Sequence, residues 1–147
     1  MWTGTNCMTV MRFLDSNVVV YAYDSTDAVK HAIAAHLLVE VIQRGDGAVS
    51  TQVCGEFFNA AVTKRKIMTP DEVLRVIRRL EAGMKISAID LHLVRDALAI
   101  HQRYQLRYWD SLIIATARRM QCAEVLSEDM NDGQDYGGVV VRNPFKP

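Results

Sequence analysis

Cysteine is scarce in this chain and scattered where it occurs. Cys7, Cys54 and Cys122 form an odd set with no Cys-x-x-Cys pair, which excludes a disulfide framework and a zinc knuckle. That usage suits a reducing compartment, so a cytoplasmic protein is expected, with Cys54 and Cys122 as small core residues and not nucleophiles. His31, His36, His92 and His101 make no His-Glu-x-x-His pattern, and His31 and His36 do not share a helical face. Zinc chemistry is therefore not expected. The eight glycines build no P-loop, and Gly45-x-Gly47 precedes an apolar run and lacks a third glycine, so no dinucleotide fingerprint exists. No stretch approaches the roughly 18 to 20 apolar residues that a membrane helix needs. Residues 1–9 lack a basic region followed by an apolar run, so they read as a lead-in without a secretory signal.

Neither sign of charge is in excess, since 17 Lys and Arg balance 17 Asp and Glu. Net charge alone thus argues against strong non-specific binding to nucleic acid. The distribution is uneven: residues 61–120 carry 12 basic against 6 acidic side chains, while both flanking segments are acidic. That middle third reads equally well as a polyanion-facing surface or as solvated helix faces.

What the 147 residues do contain is one domain's worth of alternating patterns. Strands are expected over 10–14, 48–51, 85–89, 124–127 and 139–142. Helices are expected over 18–23, 28–44, 52–64, 70–83, 91–104 and 109–120. Asp27 is a good N-cap, after which Val29, Ile33, Leu37 and Val41 recur at helical spacing. Thr69-Pro70-Asp71-Glu72 combines a capping box with Pro at the first helical position, and Asp90 caps the following helix. Strands separated by helices imply right-handed crossovers and a mostly parallel sheet with helices on both faces. No repeat, low-complexity tract or linker interrupts it.

In such a sheet function gathers where strands end and helices begin. Asp15 follows the first strand, Glu56 lies one turn into the helix after the second, and Asp129 lies just past the fourth. Asp110 opens a helix whose start can reach the same edge. Four carboxylates so close would repel, and a divalent cation resolves the conflict. Oxygen-only ligands suit Mg²⁺ or Mn²⁺, which can activate water for in-line phosphodiester hydrolysis to a 5′-phosphate and a 3′-hydroxyl. Each acid also has a plainer reading as a cap, turn or loop residue; the coincidence of all four carries the argument.

The segments Phe13-Leu14-Asp15-Ser16-Asn17-Val18, Ser50-Thr51-Gln52-Val53-Cys54-Gly55-Glu56-Phe57-Phe58-Asn59, Tyr108-Trp109-Asp110-Ser111-Leu112-Ile113-Ile114-Ala115-Thr116-Ala117 and Leu126-Ser127-Glu128-Asp129-Met130-Asn131-Asp132-Gly133 resemble the four motifs of PIN domains. The likeness is nearest to VapC-type ribonuclease toxins and spans the chain after about Met8. It implies a single Rossmann-like PIN domain over 10–147 and Mg²⁺- or Mn²⁺-dependent endoribonuclease activity. It also implies an antitoxin that plugs the acidic site, and a homodimer. Asp15, Glu56, Asp110 and Asp129 take the places of the metal-binding, catalytic acids. Asn17, Asn59, Ser111 and Ser127 fall at supporting polar positions, and Asp132 is an outer-shell candidate. Arg78 and Arg79, in the basic middle third, and Arg107 and Trp109, beside Asp110, are candidates for contact with RNA. The plainer reading of Tyr108 and Trp109 is a buried aromatic pair beneath the site.

Two other classes compete. One is a PIN-like module that binds RNA or a protein without cutting, although such a module would be expected to lose one of the acids. The other is an Asp-dependent phosphatase or phosphotransfer domain. A phosphatase of the haloacid-dehalogenase type would carry a second Asp where Asn17 stands, and the adjacent acids and late Lys of a receiver domain are missing.

Overall fold

Short apolar runs, each closed by a polar residue, pair into a sheet in the computed structural model, which describes residues 10–147. The lead-in expected over 1–9 lies outside those residues. Among the described residues the strands are β1 (Met11–Leu14), β2 (Gly47–Ser50), β3 (Lys85–Ser87), β4 (Cys122–Leu126) and β5 (Val140–Arg142). Their order is β3-β2-β1-β4-β5, and every pairing is parallel. The helices are α1 (Ser16–Tyr23), α2 (Ala28–Arg44), α3 (Thr51–Phe58), α4 (Pro70–Gly83), α5 (Leu91–Tyr104) and α6 (Tyr108–Arg119). This is the expected single α/β domain.

The strand order places the site. From β1 the chain steps outward through β2 to β3, then crosses back to add β4 and β5 on the other side. Right-handed crossovers put α1 to α4 on one face and α5 and α6 on the other; accordingly α1 packs on α2 and α3, and α5 on α6. The direction reverses between β1 and β4, so a crevice opens beyond their carboxyl ends. Asp15 and Ser127 are the first residues past those two ends, and the Asp15 N–H donates to the Leu126 carbonyl at 3.0 Å. β1 is buried on both faces through Phe13 and Leu14, each fully buried, as a central parallel strand must be.

Helix ends follow the sequence signals. Asp27 accepts from the Lys30 N–H at 3.1 Å, and Asp90 from the Leu93 N–H at 3.0 Å. Thr69 and Glu72 form the capping box, with Pro70 at the first turn. Gly45 ends α2 with φ +69°, a left-handed conformation that costs glycine little. Gly47 is tightly packed for a different reason: a Cβ there would meet the Met84 Cε at 2.7 Å and the Val41 Cβ at 3.0 Å.

Four expectations shift. The buried stripe of α2 is Ala34, Leu38 and Val41, whereas Val29 is 70% exposed. A strict spacing of four winds about 40° per step off a 3.6-residue helix, so that series cannot stay against the core. β3 stops at Ser87, where the chain leaves the sheet and Arg119 donates to the Ser87 Oγ and the Ala88 carbonyl. β4 starts two residues early and ends at Leu126, although the Ser127 N–H still donates to the Arg142 carbonyl at 3.0 Å. The helix expected over 52–64 is α-helical only to Phe58 and continues as π-helical turns over Asn59–Lys64, seen in the Arg65 N–H donating to the Ala60 carbonyl at 2.8 Å. Cys122 is buried and Cys54 half-buried. No helix among the described residues is long and apolar enough to cross a membrane.

Candidate functional site

Asp15 lies at the bottom of the crevice, only 4% exposed. Its Oδ1 accepts from the Ser16 N–H at 2.7 Å, and its Oδ2 accepts from the Ser127 Oγ at 2.7 Å. Asn17 ties this carboxylate to the next, because its Nδ2 lies 3.4 Å from the Asp15 Oδ2 and 3.1 Å from the Asp129 Oδ2. The Asp129 N–H in turn donates to Ser127 at 3.1 Å. Five residues from two strand ends thus form one network.

Glu56 enters from the opposite wall, on α3. Its Oε2 accepts from the Ser16 Oγ at 2.7 Å, and its Oε1 accepts from Gln52 Nε2, one turn earlier, also at 2.7 Å. Gln52 donates as well to the Trp109 carbonyl at 3.1 Å, which stitches α3 to the start of α6. Asp110 lies in the first turn of α6, 8% exposed, where the helix dipole favours an acid. Arg107 grips it through two contacts, Nε to Oδ2 at 3.1 Å and Nη2 to Oδ1 at 3.4 Å. Asp15, Glu56, Asp110 and Asp129 line one cleft of about 680 Å³, together with Gln52, Asn59, Lys64, Arg107 and Trp109.

Electrostatics follow from this crowding. Burial pushes the Asp15 carboxyl up to about 7, and the charges of Glu56 and Asp129 push the same way against the Ser127 and Ser16 hydrogen bonds. The Asp110 carboxyl is also raised, mainly by burial, with Arg107 opposing the rise. An acid held partly protonated by burial and like charge is a strained acid.

The expected residues divide into three groups. Asp15, Glu56, Asp110 and Asp129 converge, joined by Asn17 and Ser127 through hydrogen bonds and by Asn59 at the cleft wall. Ser111 does not face the acids: it is fully buried and donates to the Leu106 carbonyl at 3.4 Å. Asp132 accepts from the Asn143 N–H at 2.8 Å, a loop-closing role outside the cleft. Glu128 is committed to Lys30 at 2.7 Å, so Asp129 alone of that acidic loop lines the cleft. Arg78 and Arg79 lie on the exposed side of α4 away from it, and Arg79 donates to the Tyr23 hydroxyl at 3.0 Å. Trp109 is 60% exposed at the rim, edge-on to Tyr108 at 4.9 Å, so the pair is not buried beneath the site. Of the basic residues in the middle third only Lys64 and Arg107 line the cleft; Ser16 and Gln52 were not anticipated, and only their places beside Asp15 and Glu56 in the motifs could have flagged them.

Whether a divalent cation suits these residues can be judged from their chemistry. Among the described residues no three His, Cys, Asp or Glu side chains stand as ready-made ligands of one ion. The cleft nonetheless offers oxygen ligands from four carboxylates and from Gln52 and Asn59, as a hard cation requires. The raised Asp15 carboxyl would be relieved by positive charge, and Gln52 Oε1 is a buried acceptor with no partner. The residue set fits a hard divalent ion.

The chain belongs to the PIN-domain family, whose family model matches residues 12–131. No curated protein matches it in sequence. Its fold is similar to that of VapC20 from Mycobacterium tuberculosis, a sarcin–ricin-loop-cleaving toxin, with TM-score 0.63 and 19% identity over 80% of this chain and 91% of that one. It is similar as well to a toxin–antitoxin complex from Klebsiella pneumoniae, with TM-score 0.63 and 19% identity over 90% and 97%. A third likeness is to VapBC2 from Rickettsia felis bound to a promoter DNA fragment, with TM-score 0.64 and 13% identity over 91% and 98%.

Proposed function

We propose that the protein is a divalent-metal-dependent endoribonuclease, the toxin of a VapBC-type toxin–antitoxin pair. The observation that carries this reading is the convergence of Asp15, Glu56, Asp110 and Asp129 on one cleft at the switch point of a PIN fold. Asp15 and Asp110, the two most buried acids of the cleft, would hold Mg²⁺ or Mn²⁺, with Glu56 and Asp129 flanking them. The bound ion would supply positive charge to the phosphodiester and lower the pKa of a water nucleophile.

The chain's own residues divide the remaining work. Ser127, Asn17 and Ser16 fix the Asp15 and Glu56 oxygens, so the acids need not reorganise when charge develops. Arg107 pairs with Asp110 and is otherwise exposed, so it can exchange that carboxylate for an RNA phosphate. Trp109 offers an exposed ring for an unstacked base. Attack at phosphorus by water, with departure of the 3′ oxygen, leaves a 5′-phosphate and a 3′-hydroxyl. An antitoxin covering the cleft, a homodimeric toxin and a cytoplasmic setting belong to the same reading. It is supported by similar solved structures described as a loop-cleaving toxin and as toxin–antitoxin complexes.

The test is cleavage of RNA by purified protein with Mg²⁺, with excess EDTA, and in the Asp15→Asn and Asp110→Asn variants. Cleavage is expected to need the metal and to fall by about 100-fold or more in each variant, the scale of losing an electrostatic anchor of the reaction. Full activity in EDTA or in a folded variant contradicts the reading.

A further inference from the structure

Lys64, Arg65 and Lys66 are consecutive cations, and only the first lines the cleft. Arg65 is committed elsewhere: it pairs with the buried Asp24 and lies 5.2 Å over the Tyr21 ring. Lys66 adopts a left-handed backbone with φ 55° that turns the chain out of the helix. Lys64 is exposed and, among the described residues, has no ion-pair partner, although four carboxylates line the same cleft. A cation that stands off from available acids is free for an anion arriving from solution.

Its placement depends on the π-helical turns. Gln52, Glu56, Ala60 and Lys64 all line the cleft at a spacing of four. On an unbroken α-helix that spacing drifts by about 40° per step and would carry Lys64 round the helix, away from Glu56. The wider turns over Asn59–Lys64, hydrogen-bonded from residue i to i+5, absorb the drift. The Arg65–Asp24 pair pins the end of the segment, and Ile67 and Met68 both donate to the Ala61 carbonyl. Local irregularity here serves one result: an ammonium aligned with Glu56, with Arg107 on the neighbouring wall.

We propose that Lys64 is a positioning residue that holds a backbone phosphate of the RNA beside the one being cut, its register set by the π-helical turns. This rests on the nuclease reading above and adds to it the residue that draws the strand across the acids. Lys64 is a point charge on a flexible stem, suited to a phosphate and indifferent to the base.

The experiment moves the charge without changing its amount. Thr63 is exposed, so Thr63→Lys combined with Lys64→Thr shifts the ammonium by one residue and turns it off the line of Glu56. KM for RNA is expected to rise about ten-fold with kcat nearly unchanged, and the salt dependence to lose about one phosphate contact. Lys64→Arg should keep most of the affinity, and Lys64→Gln should match the exchanged pair. An exchanged protein with the original KM and salt slope overturns the proposal, as does a fall in kcat at unchanged KM. If the unaltered protein cuts no RNA, the nuclease reading fails and this one with it; if it cuts and the exchange is silent, this one fails alone.

Discussion

At the scale of single residues the site is governed by what burial does to Asp15. An isolated aspartate titrates near 3.8, but this one is pushed up to about 7. Because the folded state binds the proton more tightly than the unfolded chain, the effect is stabilising below pH 4. That stability is lost as pH rises through 7, where the folded protein must carry a buried charge. The whole shift corresponds to about 4 kcal/mol. In EDTA, unfolding free energy should therefore fall between pH 5 and pH 8, and Asp15→Asn should flatten that decline. Mg²⁺ should raise the melting temperature more at pH 8 than at pH 5. Equal Mg²⁺ stabilisation at both values would place the ion away from Asp15. The same scale explains which polar neighbours could be read from the sequence. Asn17 and Ser127 flank strand ends, where position follows from the sheet, and both reach the acids. Ser111 is adjacent to Asp110 on a helix, where one step turns about 100°; it therefore faces the core, and Trp109, one step back, faces solvent.

At the scale of elements α3 is the informative one. Gly55 lies in the middle of it and lines the cleft between Gln52 and Glu56. A Cβ there would meet nothing within 4 Å, so packing within the chain does not require glycine. Helix propensity alone makes Gly55→Ala stabilising by about 1 kcal/mol. If the bare helix surface is where the RNA backbone passes, the same change should raise KM several-fold. Urea unfolding and cleavage kinetics separate the two effects, and a stabilised variant with unchanged KM would show that no ligand approaches there. α3 also marks a limit of legibility. Its start, its Glu56 and its apolar face follow from pattern, but it continues into π-helical turns, next to whose end Arg65 pairs with Asp24 across 41 residues of chain. No local signal reports it, so the basic middle third was legible but not that Lys64 is a member of it at the cleft. α6 shows the opposite case: it is buried from Asp110 to Ala117, and Leu112 to Ala115 declare the buried face as an apolar stretch.

At the scale of the molecule the topology does most of the placing. The alternation of strand and helix was enough to expect a parallel sheet, and the observed order puts β1 and β4 side by side with Asp15 and Asp129 beyond their ends. What sequence left open was which of the many charged side chains share that edge. Glu128, Asp132, Arg78 and Arg79 are drawn off by Lys30, by the Asn143 backbone and by the outer face of α4. The remaining cleft joins four acids to two cations, Lys64 and Arg107. That combination suits the proposed cutting of a polyanion by a metal-activated water, and the proposal fixes which products to expect. Metal-assisted hydrolysis leaves a 5′-phosphate and a 3′-hydroxyl, whereas attack by the RNA's own 2′-hydroxyl leaves a 2′,3′-cyclic phosphate and a 5′-hydroxyl. The most direct test is to cut an RNA with the Mg²⁺-loaded protein and determine the chemistry of the new ends. The account predicts 5′-phosphate and 3′-hydroxyl termini, absent with Asp110→Asn; a cyclic phosphate would contradict it.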